Sequence, residues 1–314
     1  MNIVFVDTCA AGEVDLSGIA ALGNLTCYDR TEPDQVVERC AEADVVITNK
    51  VAFFEQEIAQ LPNLKLICIA ATGMNNVDLA YAAERGVAVK NVANYSTESV
   101  AQTTFALTLG LLQSSRYYDN YVKSGKYAQS RVFTHHGRPY FELKGKRWGI
   151  IGLGNIGRRV AEIASVFGAE VSYYSTSGKN STNDYPQKSL KNLLLESDII
   201  SIHSPLNDQT KNLLNYDRLC LMKASALLIN VGRGGIVVES DLAQALRENR
   251  LVGAGLDVFE QEPIQPDNPL LAPDIADKLL LAPHIAWASK ESRQRLIDKI
   301  CGNIEEFYGN IYGT

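Results

Sequence analysis

The run Trp148-Gly149-Ile150-Ile151 passes directly into Gly152-Leu153-Gly154-Asn155-Ile156-Gly157, and that into the amphipathic stretch RRVAEIASVFG. A G-x-G-x-x-G spacing between an apolar strand and a helix constrains the fold more than any other feature of this chain. It describes a turn that lays an anion against a helix N-terminus, as in dinucleotide-binding βαβ units. In that reading Gly152 allows the tight turn and Gly154 lets the backbone approach a pyrophosphate. Gly157 permits close helix–strand packing, and Asn155 and Ile156 open the helix that faces the anion. The alternative is a glycine turn in another Rossmann-like protein that binds a different nucleotide or none.

What surrounds the turn supports the first reading. Six short apolar runs, at 148–151, 170–174, 199–203, 226–230, 252–258 and 279–281, alternate with helical patterns, which suits a doubly wound parallel sheet. A chain of 314 residues, 46% of them hydrophobic, is long enough to divide its core in two. The first third forms a smaller α/β series of its own, with strands predicted at 3–6, 45–48, 66–70 and 87–89 and a helix at 78–85 closed by Gly86. An apolar helical stretch at 97–116, followed by a polar, aromatic segment reaching His136, reads as the crossing between domains. The helical segment at 291–308 lies outside the nucleotide series and is expected to return to the first domain. The expected architecture is therefore α/β, with two Rossmann-like domains, doubly wound parallel sheets and a cleft between them. The substrate-binding domain is discontinuous, 1–98 plus 290–314, and the dinucleotide-binding domain spans 99–289 with the linking helix and arm.

Cofactor choice turns on the end of the second strand, where a carboxylate would grip the ribose 2′-hydroxyl. This strand ends Tyr174-Ser175-Thr176-Ser177-Gly178-Lys179, with no acid. The missing acid removes a like-charge clash with a 2′-phosphate, which the hydroxyls of Ser175 and Thr176 and the charge of Lys179 can accept. NADP is thus one reading; NAD held by hydroxyls alone is the other.

Three ionisable residues fall just past predicted strands: Arg233 in NVGRGG, Glu262 in LDVFEQEP and His284 in LAPH. The carboxyl ends of strands line the ligand crevice of an open α/β sheet, so the topology can bring all three to one place. Arginine offers a planar fork for a carboxylate, histidine exchanges a proton near neutral pH, and a carboxylate beside the imidazole holds its orientation. Each taken alone has a plainer reading: a solvated loop arginine, a surface glutamate before proline, a turn histidine. Of the chain's four histidines, His135 and His136 sit in the polar crossing segment and His203 ends a strand facing the expected cofactor. His284 is the favoured acid/base, with His203 the alternative.

The chain resembles the D-isomer-specific 2-hydroxyacid dehydrogenases along essentially its whole length, and among them the glycerate dehydrogenase/hydroxypyruvate reductase type. The motifs are ATGMNNVD (71–78), NVANYSTESVAQ (91–102), GIIGLGNIG (149–157), HSPLNDQT (203–210), NVGRGGIV (230–237), GLDVFEQEP (255–263) and APHIAWAS (282–289). The resemblance implies hydride transfer between NAD or NADP and C2 of a small 2-oxo or 2-hydroxy acid, hydroxypyruvate or glyoxylate first. It implies that Arg233 binds the substrate, His284 is the acid/base and Glu262 supports it. It further implies cofactor contacts at His203, Ser204, Pro205, Thr210, Val231, Gly232 and Ala286, with Asp257 at the nicotinamide carboxamide. Backbone amides near Lys50, Val51 and Gly73 are expected around the substrate carboxylate. A homodimer joined through the long helix and arm, with substrate between the domains, also follows from the resemblance. D-lactate-type and phosphoglycerate dehydrogenases are alternatives within the family. A nucleotide-sensing protein, like the family's transcriptional corepressors, is the alternative outside enzymes.

Charge and punctuation narrow the partners. A net charge of −6 without a long basic cluster argues against nucleic acid. No apolar run reaches membrane-spanning length and the N-terminus lacks a signal pattern, so a cytoplasmic protein is expected. The six cysteines are scattered without metal-ligand or disulfide spacing, which predicts reduced thiols and no metal site.

Overall fold

The structure, a computed structural model, describes residues 1–312. It divides into two compact units, one of residues 1–96 and the described residues from 287 on, the other of residues 97–286. Those divisions lie a few residues from the 98/99 and 289/290 boundaries drawn from the sequence.

The first unit is a five-stranded parallel sheet of β1 (Asn2–Phe5), β2 (Asn24–Cys27), β3 (Val45–Thr48), β4 (Leu66–Ile69) and β5 (Ala88–Asn91), in the order β2-β1-β3-β4-β5. Strand alternation divides its core between two faces. Ile3, Phe5, Val45, Ile47, Leu66 and Cys68 point to one side, where they meet Leu296, Ile297, Ile300 and Ile304. Val4, Val46, Ile67 and Ile69 point to the other. The four meeting residues belong to the helix Lys290–Tyr312, which returns from beyond the second unit to cover this sheet.

The second unit holds six parallel strands: β6 (Arg147–Ile151), β7 (Glu170–Tyr174), β8 (Ile199–Ile202), β9 (Leu227–Asn230), β10 (Gly253–Leu256) and β11 (Leu279–Leu281). Their order is β11-β10-β9-β8-β6-β7, and an isolated parallel bridge from Gln187 to Tyr173 extends the β7 edge. With that bridge counted as a vestigial strand, the order is the doubly wound one of dinucleotide folds. The apolar stretch after Thr97 forms the helix Thr97–Leu112 and then a second helix, Ser115–Lys123. The chain breaks between them at Ser114, whose φ of 51° is left-handed. Phe105 of the first helix packs on the fully buried Trp148 of β6, with ring centroids 4.9 Å apart. Among the described residues, no helix is long and apolar enough to cross a membrane.

Candidate active site

Register brings the candidate residues of the second unit to one edge. Tyr174 pairs with Ile151, Ile151 with Ile202, Ile202 with Asn230, Asn230 with Leu256 and Leu256 with Leu281, so all six strands end in one row. The loops that follow carry the phosphate turn, Ser175, His203, Arg233, Glu262 and His284.

In the phosphate turn Gly152 has φ of 94°, and a Cβ there would stand 2.9 Å from the Ser204 amide nitrogen, so the turn admits only glycine. A Cβ on Gly154 would meet nothing within 4 Å, and this open ground lies at the start of the helix Asn155–Val166. The side-chain chemistry fits a dinucleotide. Ser175 Oγ, Ser204 Oγ and His203 Nδ1 are buried without a hydrogen-bond partner, directly after β7 and β8. Each such group costs about 1–3 kcal/mol until something satisfies it, and ribose or amide groups of a nucleotide would do so. Thr176 is half-buried beside Ser175, and Lys179 is exposed further along the same loop. Pro205 is exposed in the loop after β8, while Val231 is buried and Gly232 half-buried after β9.

Two of the expected cofactor residues also make internal bonds. Thr210 is fully buried and turned into its own loop, where its hydroxyl donates to the Pro205 carbonyl at 2.7 Å and accepts the Asn207 amide at 2.8 Å. Asp257, 1% exposed, accepts the amides of Ile285 at 2.8 Å and Ala286 at 2.9 Å, and its carbonyl accepts the amide of His284 at 2.8 Å. The Asp257 carboxylate thus takes one amide on each oxygen and keeps further lone pairs on both. Burial pushes the Asp257 carboxyl up, and the two amides pull against that shift. These bonds hold His284 at a left-handed φ of 54°, a conformation that costs a non-glycine residue ~1–2 kcal/mol.

The held turn presents His284 to Glu262. Nδ1 donates to Glu262 Oε2 at 2.6 Å, while Glu262 Oε1 accepts the Phe259 amide at 3.0 Å. Because a carboxylate only accepts, this contact places a proton on Nδ1 and leaves Nε2 to exchange protons with a ligand. Arg233 is exposed, and its loop is shaped by Asn230, a 2% exposed residue that sequence reasoning passed over. Asn230 Nδ2 donates to the Arg233 carbonyl at 3.0 Å, and its Oδ1 accepts the Gly232 amide at 3.1 Å. The available signal was a polar residue closing the apolar strand LLIN.

The other histidines are placed elsewhere. Burial pushes His203 down to about 3, so it stays neutral across the working range; its Nε2 lies 2.9 Å from Ser201 Oγ. His135 stacks on Tyr121 at 3.7 Å between centroids and meets the Tyr117 hydroxyl at 2.9 Å; His136 is exposed beside it.

In the first unit, Asp7, Lys50 and Gly73 follow β1, β3 and β4 at the carboxyl edge of their own sheet. The amides of Asn49, Lys50 and Val51 all donate to the Asp7 carboxylate, at 2.9, 2.6 and 3.2 Å. In this structure the nest holds an internal anion, the Asp7 carboxylate, at the amides expected near a substrate carboxylate. Lys50 and Gly73 are themselves exposed.

A glycine turn of phosphate-binding pattern, buried polar groups left without a partner beside it, and an arginine and a carboxylate–imidazole pair along one sheet edge define a dinucleotide-dependent dehydrogenase. Residues 105–286 match the family described as D-isomer specific 2-hydroxyacid dehydrogenase, NAD binding domain, and the chain belongs to that family. It is 37% identical to a hydroxypyruvate reductase of Blautia hydrogenotrophica, over 98% of this chain and 97% of that protein. It is 38% identical to a glycerate dehydrogenase of Methylorubrum extorquens, over 89% of this chain and 88% of that protein. Among solved structures, an acyclic imino acid reductase (Bsp5) in complex with NADPH and D-Arg superposes with a TM-score of 0.87 at 28% identity, covering 99% of this chain and 98% of that one.

Proposed function

We propose that the protein reduces a small 2-oxo acid, hydroxypyruvate or glyoxylate, to the matching 2-hydroxy acid, D-glycerate or glycolate. The observation that carries this reading is the alignment of β9, β10 and β11, which puts Arg233 and the Glu262–His284 pair on one edge. The names of the relatives support the substrate class. A bound nicotinamide supplies the hydride to C2. Arg233 orients the substrate by a two-pronged bond to its carboxylate, which fixes which face of C2 is presented. His284 Nε2 gives the proton to the carbonyl oxygen as the alkoxide develops, and Glu262 keeps the ring turned toward it. Gly152, Gly154 and Gly157, with the first turn at Asn155 and Ile156, would hold the pyrophosphate, and Ser175, His203 and Ser204 the groups around it.

The loop after β7 favours NADPH or weak discrimination, since Ser175 places no charge against a 2′-phosphate and Lys179 is exposed nearby. Ser175→Asp is expected to shift the kcat/KM ratio toward NADH on the order of ten- to a hundredfold, at about 1.4 kcal/mol per factor of ten. Lys179→Ala is expected to weaken NADPH more than NADH. The experiment measures kcat/KM for hydroxypyruvate, glyoxylate, pyruvate and bulkier 2-oxo acids with each cofactor, in the parent and both variants. Turnover of none of these acids would overturn the function; a parent that already excludes NADPH, with Lys179→Ala neutral, would overturn the cofactor reading.

The same reading makes the protein a cytoplasmic homodimer. Support comes from the cysteines, all free thiols, and from apolar side chains left open on the arm: Val132, Phe133 (87% exposed), Tyr140 and Phe141. A solution mass equal to one chain would remove the dimer.

A further inference from the structure

Glu239 opens the helix Glu239–Arg247, six positions after Arg233, and is only 6% exposed. A glutamate in a first turn ordinarily faces solvent or caps its own helix. This one does neither. Its Oε1 accepts the Glu260 amide at 2.7 Å, while the Glu239 amide donates to Glu260 Oε1 at 2.9 Å. Asn268 Nδ2 donates to the remaining oxygen, Glu239 Oε2. Two glutamates, Glu239 buried and Glu260 exposed, therefore exchange backbone-amide bonds across a part-buried contact between the segment that follows Arg233 and the one that carries Glu262.

The contact continues on both sides. A Cβ on Gly234 would overlap the Phe259 carbonyl, so the backbone next to Arg233 lies directly on the residue before Glu260. Beyond Glu260, the Phe259 amide is taken by Glu262 Oε1, and Glu262 Oε2 takes the proton of His284 Nδ1. An unbroken series of bonds thus runs from Glu239 through Glu260, Phe259 and Glu262 to the imidazole. Burial pushes the Glu239 carboxyl up while the Glu260 amide and Asn268 hold it down, as befits a group enclosed by its partners.

We propose that Glu239 is a positioning residue for the reaction: its exchange of amide bonds with Glu260 fixes the Arg233 loop against the Glu262–His284 pair. This rests on the proton-transfer role given to His284 above. Without the Glu239 carboxylate, the Glu260 amide and Asn268 lose their acceptor, the 259–262 loop gains freedom, and Glu262 no longer holds the ring at one angle. Small misplacements of this kind cost rate rather than cofactor affinity, because the phosphate turn follows β6, two strands away from β9.

The test uses the full chain and compares Glu239→Ala, Glu239→Gln and Asn268→Ala with the parent, each also in a Glu262→Gln background. Glutamine keeps one oxygen for the Glu260 amide but sets its NH2 against that of Asn268, so it gives a milder lesion should the alanine variant not fold. Three results are expected. The kcat of Glu239→Ala falls about ten- to a hundredfold while the NADPH dissociation constant stays within about twofold. The loss largely disappears in the Glu262→Gln background, because both changes act on one series of bonds. The His284 ring titration, followed by NMR without substrate, moves its midpoint in Glu239→Ala and moves less in Glu239→Gln. An unchanged kcat and an unchanged ring titration in folded, cofactor-binding variants would overturn the proposal, as would an equal loss in both backgrounds. A parent that turns over no 2-oxo acid while the ring titration still responds to Glu239 would instead overturn the function and leave the positioning intact.

Discussion

Arg233→Lys is expected to lower kcat/KM for a 2-oxo acid at least a hundredfold while the protein keeps its fold and its affinity for NADPH. Lysine keeps the charge but loses the planar fork, and a bidentate bond to carboxylate reduced to a single flexible contact forfeits ~3 kcal/mol, at about 1.4 kcal/mol per factor of ten. The fold is spared because the loop is shaped by its backbone: Asn230 binds the Arg233 carbonyl and the Gly232 amide whatever side chain stands at 233. The Arg233 side chain makes one internal bond, from Nη1 to the Gly232 carbonyl at 2.8 Å, on an exposed residue, so its removal costs little stability. Steady-state kinetics of parent, Arg233→Lys and Arg233→Ala, with thermal unfolding as the control for folding, check this. A kcat/KM in Arg233→Lys within a few fold of the parent would place the carboxylate elsewhere.

The architecture was readable wherever burial wrote a strong pattern. Fully buried strands such as Val45–Thr48 and Ile199–Ile202 are mostly apolar, with one hydroxyl residue each, and the β7 and β11 limits, Glu170–Tyr174 and Leu279–Leu281, coincide with those expected. Strand β2 left no such mark, because NLTC forms an edge strand that stays mostly exposed. The stretch at 97–116 reads as one helix by its apolar content, yet the chain turns at Ser114, a local backbone choice that side-chain pattern does not encode. Asp78 shows the opposite case: as an N-cap accepting the Tyr81 amide at 3.0 Å it starts its helix where the sequence said.

The chemistry divides along the same line. Residue types needed by the reaction, Arg233, Glu262 and His284, stand out because an ionisable group just past an apolar strand is conspicuous. Residues that act through backbone amides do not. Asp7, Asp257 and Glu239 look like ordinary acids in sequence, and only the folded chain shows three, two and one amide donated to them from segments far along the chain. Motif resemblance places Asp257 against a ligand, and the folded chain adds that its buried carboxylate accepts the amides of Ile285 and Ala286 just after the strained His284. An acid held this way serves the site by fixing what faces it.

His284→Ala is expected to lower kcat/KM about a hundred- to ten-thousandfold in both directions and to remove the main pH dependence from each. The sign follows from which form the reaction needs. In reduction the ring must carry the proton it gives away, so the rate falls as pH rises through the ring's titration. In oxidation it must be free to take one, so the rate falls as pH drops through the same range. The two limbs should therefore mirror each other in the parent and flatten together in the variant. Glu262→Gln should do less harm to geometry than to proton placement: an amide keeps the size of the carboxylate but offers Nδ1 either a weaker acceptor or a competing donor. A fall in kcat between those of the parent and His284→Ala is expected, with the limbs displaced rather than lost. His203 cannot replace the missing ring, since burial holds it neutral down to about pH 3. A mirrored pair of limbs that survives His284→Ala would show that the proton passes through another group, and the Glu262–His284 contact at 2.6 Å would then be a feature of the fold alone.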